Sequence, residues 1–185
     1  MPQTAPKHAS YADLLALPGH LVGEIIDGEL HTHPRPGPRH AWACSVLGGK
    51  LGDAYGWGTG GPGGWWIIDE PELHLKNDIV VPDLAGWRRE RMPELPETAW
   101  FELAPDWICE ILSPATARAD RAIKMPLYAR EGIPYFWLVD PVLRTLEGYR
   151  LVEGHWILLA TLKDTDPVRL PPFDGTEFSL GSLWG

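Results

Sequence analysis

A single glutamate interrupts the apolar stretch PDWICEILSP at residues 105–114. The flanking residues are typical of a strand that is buried on both faces, which places Glu110 in an apolar environment. A carboxylate buried without a partner costs several kcal/mol, so it is normally paired, hydrogen-bonded or bound to a metal ion. The chemistry of this chain therefore depends on what faces Glu110.

A second acid, Asp83, follows Pro82 in the stretch VVPDLAGW. We interpret residues 79–87 as one strand, in which alternation would place Asp83 on the same face as Val81 and Ala85. We expect Asp83 and Glu110 to lie on adjacent strands, with their carboxylates close enough to share one ion.

A cation follows in the stretch RADRAIKMPLY. If this segment is helical, Asp120, Lys124 and Tyr128 lie along one side at four-residue spacing. Pro126 cannot donate a backbone hydrogen bond, which favours an opening or kink there. We expect this disturbance to hold Lys124 near the end of the strand, within reach of Glu110.

Two carboxylates and one lysine suit metal-assisted phosphodiester hydrolysis. Asp83 and Glu110 would hold Mg²⁺ or Mn²⁺, because hard cations prefer carboxylate oxygens and water. Lys124 would position the nucleophile or stabilise developing charge. The structural alternative stays open: Asp83 bonds a backbone turn, while Glu110 and Lys124 form a buried ion pair with no catalytic role.

The elements that must position these residues follow from periodicity and turn signals. We predict one domain, residues 1–185, of α/β (α+β) class: a mixed central sheet flanked by helices, with added β-hairpins. The predicted elements are a helix at 9–17 with Ser10 as N-cap, a hairpin turning at Asp27-Gly28, a helix at 39–54, a loop at 56–64, strands at 65–69, 79–87, 107–112 and 135–140, a helix at 115–131 disturbed at Pro126, a hairpin at 145–162 turning at Glu153-Gly154, and a last strand and turn in the tail.

Composition restricts the function further. The chain has no apolar run long enough to span a bilayer, and its start lacks the pattern of a signal peptide. Cys44 and Cys109 are expected to be free thiols in a cytoplasmic protein. The net charge is −9, with 16 Lys+Arg against 25 Asp+Glu, which argues against strong nonspecific DNA binding by a monomer. It argues less against a metal site, where cations offset local negative charge.

Four stretches, VGEIIDGEL, VVPDLAGW, DWICEILSPAT and DRAIKMPLYAREGIPYFWLVD, occur in an order that resembles the Uma-type restriction endonucleases of the PD-(D/E)XK nuclease superfamily. The resemblance covers roughly residues 10 to 180. It implies a restriction-endonuclease-like core and hydrolysis of phosphodiester bonds that depends on a divalent metal.

The resemblance also assigns residues. Asp83 matches the aspartate of the Pro-Asp motif, and Glu110 matches the second acidic ligand. The superfamily pattern has a lysine two residues after the glutamate, where this chain has Leu112. The resemblance instead places the lysine on the following helix, at Lys124.

Three further positions follow from the same comparison. Glu24 matches another acidic position and would complete the metal shell, or it is an exposed hairpin glutamate. His40, at the start of the second helix, would touch substrate, or it is a surface or capping residue. We add Tyr128, one turn after the lysine, as a second substrate contact.

Two hypotheses result. The first is a metal-dependent endonuclease acting on nucleic acid, with DNA as the expected substrate, which works as a homodimer because duplex cleavage needs one active site per strand. The second is a catalytically silent scaffold with the same fold. His31 and His33 share a strand face, but without cysteines or a second close pair they make a weak zinc site.

Overall fold

The computed structural model describes residues 8–185. The predicted absence of a signal peptide concerns a segment whose first seven residues lie outside this range. Within the described residues the strands are β1 (Leu21–Ile26), β2 (Glu29–Pro34), β3 (Trp65–Asp69), β4 (Leu73–Leu75), β5 (Asp78–Val80), β6 (Leu84–Arg88), β7 (Trp107–Ile111), β8 (Tyr135–Asp140), β9 (Thr145–Val152), β10 (His155–Lys163), β11 (Pro167–Val168) and β12 (Phe178–Ser179).

The helices are fewer and shorter. They are α1 (Tyr11–Leu15), α2 (Pro38–Leu51), α3 (Ala117–Ala119) and α4 (Met125–Arg130), with π-helical turns at Gly52–Trp57 and Asp120–Lys124 and a 3₁₀ turn at Leu180–Leu183. The second π-helical turn joins α3 to α4, so residues 117–130 form one helical segment. No helix in the described part of the chain is long and apolar enough to cross a membrane.

The central sheet has six strands in the order β10-β9-β8-β7-β6-β3. Its neighbouring strands are antiparallel except β7 and β8, which are parallel. A parallel pair needs a crossover connection, and the helical segment at 117–130 supplies it. A second sheet has the order β2-β1-β5-β4, and β11 pairs with β12. The predicted fold class, a mixed sheet with flanking helices and hairpins, is confirmed.

Both faces of the central sheet are covered. On one face, Ala43, Leu47 and Leu51 of α2 pack with apolar side chains of β7 and β8 and of the C-terminal tail. On the other face, the four-stranded sheet and α4 pack against Ile108 and Phe136. Strand β7 is therefore buried along its whole length, as the apolar run around Glu110 predicts.

Several local predictions are confirmed. The hairpins turn at Asp27-Gly28 and Glu153-Gly154, where both residues of each pair have positive φ, the conformation that Asp and Gly favour in such turns. Ser10 precedes α1, and its backbone N–H donates to Asp13 Oδ2 over 2.8 Å. Free thiols at both cysteines are confirmed as well.

The predicted single strand at 79–87 is wrong. Strand β5 ends at Val80 and belongs to the four-stranded sheet, whereas β6 begins at Leu84 in the central sheet. Residues 81–83 carry the chain from one sheet to the other, and Pro82 has no N–H to contribute to a ladder. Asp83 therefore lies in this break, and the strand alternation with Val81 and Ala85 does not apply.

Candidate active site

The break before β6 places Asp83 beside Glu110. Strands β6 and β7 pair with Leu84 opposite Cys109, so Asp83 stands next to the position of Glu110 on the neighbouring strand. Asp83 Oδ2 accepts a hydrogen bond of 2.7 Å from the backbone N–H of Ile111. The two acids are thus held next to each other by backbone contacts, although Asp83 lies in the break before β6 and not on a strand. That their carboxylates share one ion stays a prediction.

Lys124 is the group that faces Glu110. Its Nζ lies 2.7 Å from Glu110 Oε1 and 2.9 Å from Glu24 Oε1. All three side chains are buried. Burial lowers the pKa of Lys124, but the charges of Glu110 and Glu24 outweigh that effect and raise it well above its ordinary value. The lysine is therefore a charged group, and its predicted contact with Glu110 is confirmed.

Glu24 comes from the first hairpin. It lies on β1 and is buried, so the alternative of an exposed hairpin glutamate is wrong. Its Oε1 accepts a hydrogen bond of 2.9 Å from the N–H of Val81, in the break between the two sheets. Glu24 thereby connects the first hairpin to the break at residues 81–83 and to Lys124.

Tyr128 also acts on Glu110. Its hydroxyl donates to Glu110 Oε1, and its side chain is fully buried. Because it has no exposed surface in this structure, its contribution passes through Glu110. Its contact with substrate stays a prediction.

His40 pairs with the other acid. It lies in the first turn of α2, with Nε2 3.0 Å from Asp83 Oδ1. Burial lowers the pKa of His40, whereas the hydrogen bond and charge of Asp83 raise it, and the net result lies above the ordinary value. Its Nδ1 is buried without a hydrogen-bond partner. The surface alternative is wrong, since the side chain is buried against Asp83.

These groups surround one cavity of about 140 Å³. Its charged and ionisable lining includes Glu24, His40, Glu70, Asp83, Glu110, Asp120 and Lys124. The structure thus brings together all the sequence-predicted site residues except Tyr128. Tyr128 does not line the cavity, but its hydroxyl contacts Glu110. His31 and His33 also line the cavity.

Two carboxylates at this cavity were not assigned a role from sequence. Glu70 follows β3 with a φ of 44°, and its N–H donates to the carbonyl oxygen of Asp83 over 3.0 Å. It lies in the polar stretch DEPE, which offers no distinguishing signal. The sequence does contain a signal for Asp120, because this residue precedes Lys124 by four positions and so lies on the same side of the helical segment.

The cavity has an excess of negatively charged groups. Burial, and then the charges of Asp120, Asp83 and Glu24, raise the pKa of Glu110 well above its ordinary value, against the opposing effect of Lys124. Burial is also the main cause that raises the pKa of Asp120 to about 6. A cation entering the cavity would relieve both effects.

The donor set fits a hard divalent ion, because it consists of carboxylates, one of which has an oxygen without a partner, Asp120 Oδ2. Among residues 8–185, no group of three or more His, Cys, Asp or Glu side chains already stands in metal-binding geometry. Metal binding therefore requires these side chains to move, and this applies equally to zinc at the histidines.

Comparison with known proteins assigns the chain to a family. The model of the family Uma2, described as "Putative restriction endonuclease", matches residues 2–181. A crystal structure at 1.96 Å described as a "putative nuclease belonging to DUF820", from Anabaena variabilis ATCC 29413, superposes with a TM-score of 0.74. The two proteins are 22% identical over 94% of this chain and 96% of the other, a likeness that concerns the fold alone. No curated protein matches the sequence significantly. The family match extends over nearly the whole chain, and the chain belongs to the Uma2 family of restriction-endonuclease-like proteins.

Proposed function

We propose that this protein is a metal-dependent endonuclease that hydrolyses phosphodiester bonds in DNA. Family membership supports a nuclease. The observation that carries the finer proposal is the placement of Asp83 and Glu110 side by side at one cavity, with Lys124 Nζ 2.7 Å from Glu110. In this proposal Asp83 and Glu110 hold Mg²⁺ or Mn²⁺, and Glu24 is the third candidate ligand. When bound, such a metal polarises a phosphoryl oxygen and activates water for in-line attack.

The protein's own groups have distinct roles in this proposal. Lys124 remains protonated beside its two carboxylates, so it offsets negative charge near the incoming phosphate rather than acting as a general base. His40, in the first turn of α2, orients Asp83 through the Nε2 contact. Tyr128 orients Glu110 through its hydroxyl.

A cleavage assay tests the proposal. Supercoiled plasmid, linear duplex, single-stranded DNA and RNA are incubated with the purified protein in Mg²⁺, Mn²⁺ or EDTA. We expect metal-dependent DNA cleavage that Glu110→Gln abolishes, because the variant keeps the shape of the side chain and removes its charge. Glu94→Gln, a change at an exposed glutamate outside the cavity, should cleave like the unsubstituted protein.

The silent scaffold remains the second candidate, favoured by one observation. Lys124, Glu110 and Glu24 form two buried ion pairs that share the lysine, with at most 3% of each residue exposed. A scaffold would cleave none of the four substrates with either metal, and Glu110→Gln would alter only its stability. Cleavage that survives Glu110→Gln unchanged would contradict the nuclease assignment of this cavity.

We also propose a homodimer in the cytoplasm. A homodimer would present one cavity to each strand of a duplex, so that both strands are cut in one encounter. The free thiols agree with a reducing compartment. Sedimentation equilibrium with and without duplex DNA measures the oligomeric state directly.

A further inference from the structure

Asp120 is the buried carboxylate of the cavity that lies farthest from Lys124. It is only 2% exposed, yet its Oδ2 has no hydrogen-bond partner. Its Oδ1 lies 3.9 Å from Lys124 Nζ, more than 1 Å farther than Glu110 Oε1. A buried carboxylate oxygen without a partner is destabilising, and such an atom in a native protein calls for a physical explanation.

The backbone directs Asp120 into the cavity. It begins the π-helical turn Asp120–Lys124, directly before α4, and both end residues of the turn line the cavity. Turns of this kind frequently interrupt helices at functional sites. Pro126 follows two residues after the turn and lacks the N–H that would continue a regular helix across it. The helical distortion therefore brings a lysine and an aspartate to one cavity.

Asp120 lines the same cavity as Asp83, Glu110 and Glu24. Its charge raises the pKa of Glu110 and of His40, and the charge of Asp83 raises the pKa of Asp120. Four buried or partly buried carboxylates, Glu24 among them, face a single lysine in this cavity. A divalent ion would compensate this imbalance.

Glu24 is less available than Asp120. Its Oε1 already accepts hydrogen bonds from the N–H of Val81 and from Lys124. The bond to Val81 holds the break at residues 81–83 in place. To become a ligand with that oxygen, Glu24 would have to give up structural bonds. Asp120 Oδ2 has no such bond to lose.

We propose that Asp120 is a direct ligand of the divalent cation, together with Asp83 and Glu110, and that Glu24 serves instead to hold Lys124. This proposal rests on the proposed metal dependence. It assigns the third ligand to the helical segment rather than to the first hairpin, so the ion joins the central sheet to its crossover connection.

Binding of Mn²⁺ alone, followed by electron paramagnetic resonance of the free ion, tests the ligand set without nucleic acid. The variants are Asp120→Asn, Glu24→Gln and, as matched control, Asp53→Asn, which removes the same charge from an exposed position outside the cavity. We expect Asp120→Asn to weaken Mn²⁺ binding by about tenfold or more, since even outer-shell changes reach that size. Glu24→Gln should change it by less than about threefold, and Asp53→Asn should not change it. Thermal melts in EDTA verify that each variant is folded.

The outcomes separate the two proposals. Loss of Mn²⁺ binding in Glu24→Gln with full binding in Asp120→Asn overturns the assignment of Asp120 and leaves the metal-dependent nuclease intact. Equal binding by all three variants has the same consequence for Asp120. Absence of Mn²⁺ binding by the unsubstituted protein overturns both proposals.

Discussion

Replacing Asp120 by Asn is expected to stabilise the metal-free protein above pH 6. Burial is the main cause that raises the pKa of this carboxyl from 3.8 to about 6 in the folded state, and the charges of Asp83 and Glu24 add to it. Lys124 and a hydrogen bond with Thr116 oppose the rise without cancelling it. The folded protein therefore binds the proton of Asp120 more tightly than the unfolded chain does.

The sign of the effect follows from this difference. Below about pH 4 the carboxyl is protonated in both states, and the full stability of the neutral form is present. As the pH rises through 6, the folded state must ionise a buried group, and that stability is lost. A rise of roughly two pKa units corresponds to about 3 kcal/mol, because one unit is worth 1.36 kcal/mol. Asparagine never ionises and escapes this penalty.

Urea denaturation in EDTA between pH 4 and pH 8 measures the difference. We expect Asp120→Asn to exceed the unsubstituted protein by about 3 kcal/mol at pH 8, or roughly 6–12 °C in melting temperature for a domain of this size. The advantage should stay nearly constant from pH 8 to about pH 6 and shrink between pH 6 and pH 4. Asp53→Asn, at an exposed position, should stay within about 0.5 kcal/mol throughout. Equal or lower stability of Asp120→Asn at pH 8 would refute the reasoning, because it would mean that Lys124 compensates the carboxylate fully.

Two further substitutions test the burial of the ion pair and the packing of α2. Lys124→Ala leaves two buried carboxylates without their cation and should destabilise the protein by about 3–5 kcal/mol in guanidinium denaturation. Lys76→Ala removes a lysine that is 70% exposed in its ion pair with Glu131, and should cost at most about 1 kcal/mol. Similar losses in both would contradict a buried network. Gly49→Ala adds a methyl group to a helix position with nothing within 4 Å, and should raise stability by about 0.5–1 kcal/mol. In Gly48→Ala the added methyl group would lie 2.9 Å from an oxygen of Asp69, so this variant should not gain stability. Equal changes in stability at the two positions would show that α2 is not closely packed at Gly48.

Much of the fold was predictable because local signals and tertiary structure agree. The Asp-Gly and Glu-Gly pairs indicated both hairpin turns, because their glycines accept positive φ without strain. The apolar runs that became β7 and β8 could only be buried on two faces, and the helical segment between them gave the crossover of a parallel pair. The contact between Lys124 and Glu110 followed from the same short connection, so that contact was also within reach of the sequence.

The break at 81–83 shows where prediction from sequence failed. An apolar run with one proline is compatible with one strand or with two strands in different sheets, and only the packing of the hairpin against the central sheet distinguishes them. The same packing decides that Glu24 is buried and that its carboxylate meets both the N–H of Val81 and Lys124, contacts that join residues far apart in the chain.

By itself, then, the sequence determined most of the elements, the mixed sheet, and the pairing of Glu110 with a lysine, because these depend on neighbours in the chain and on the cost of burying a charge. Only the tertiary structure decided the composition of the cavity. The four-residue spacing to Lys124 indicated on which side of the helical segment Asp120 lies. Whether Glu70 and Asp120 face the cavity, and whether an oxygen of Asp120 stays without a partner, depends on how three separate segments pack together.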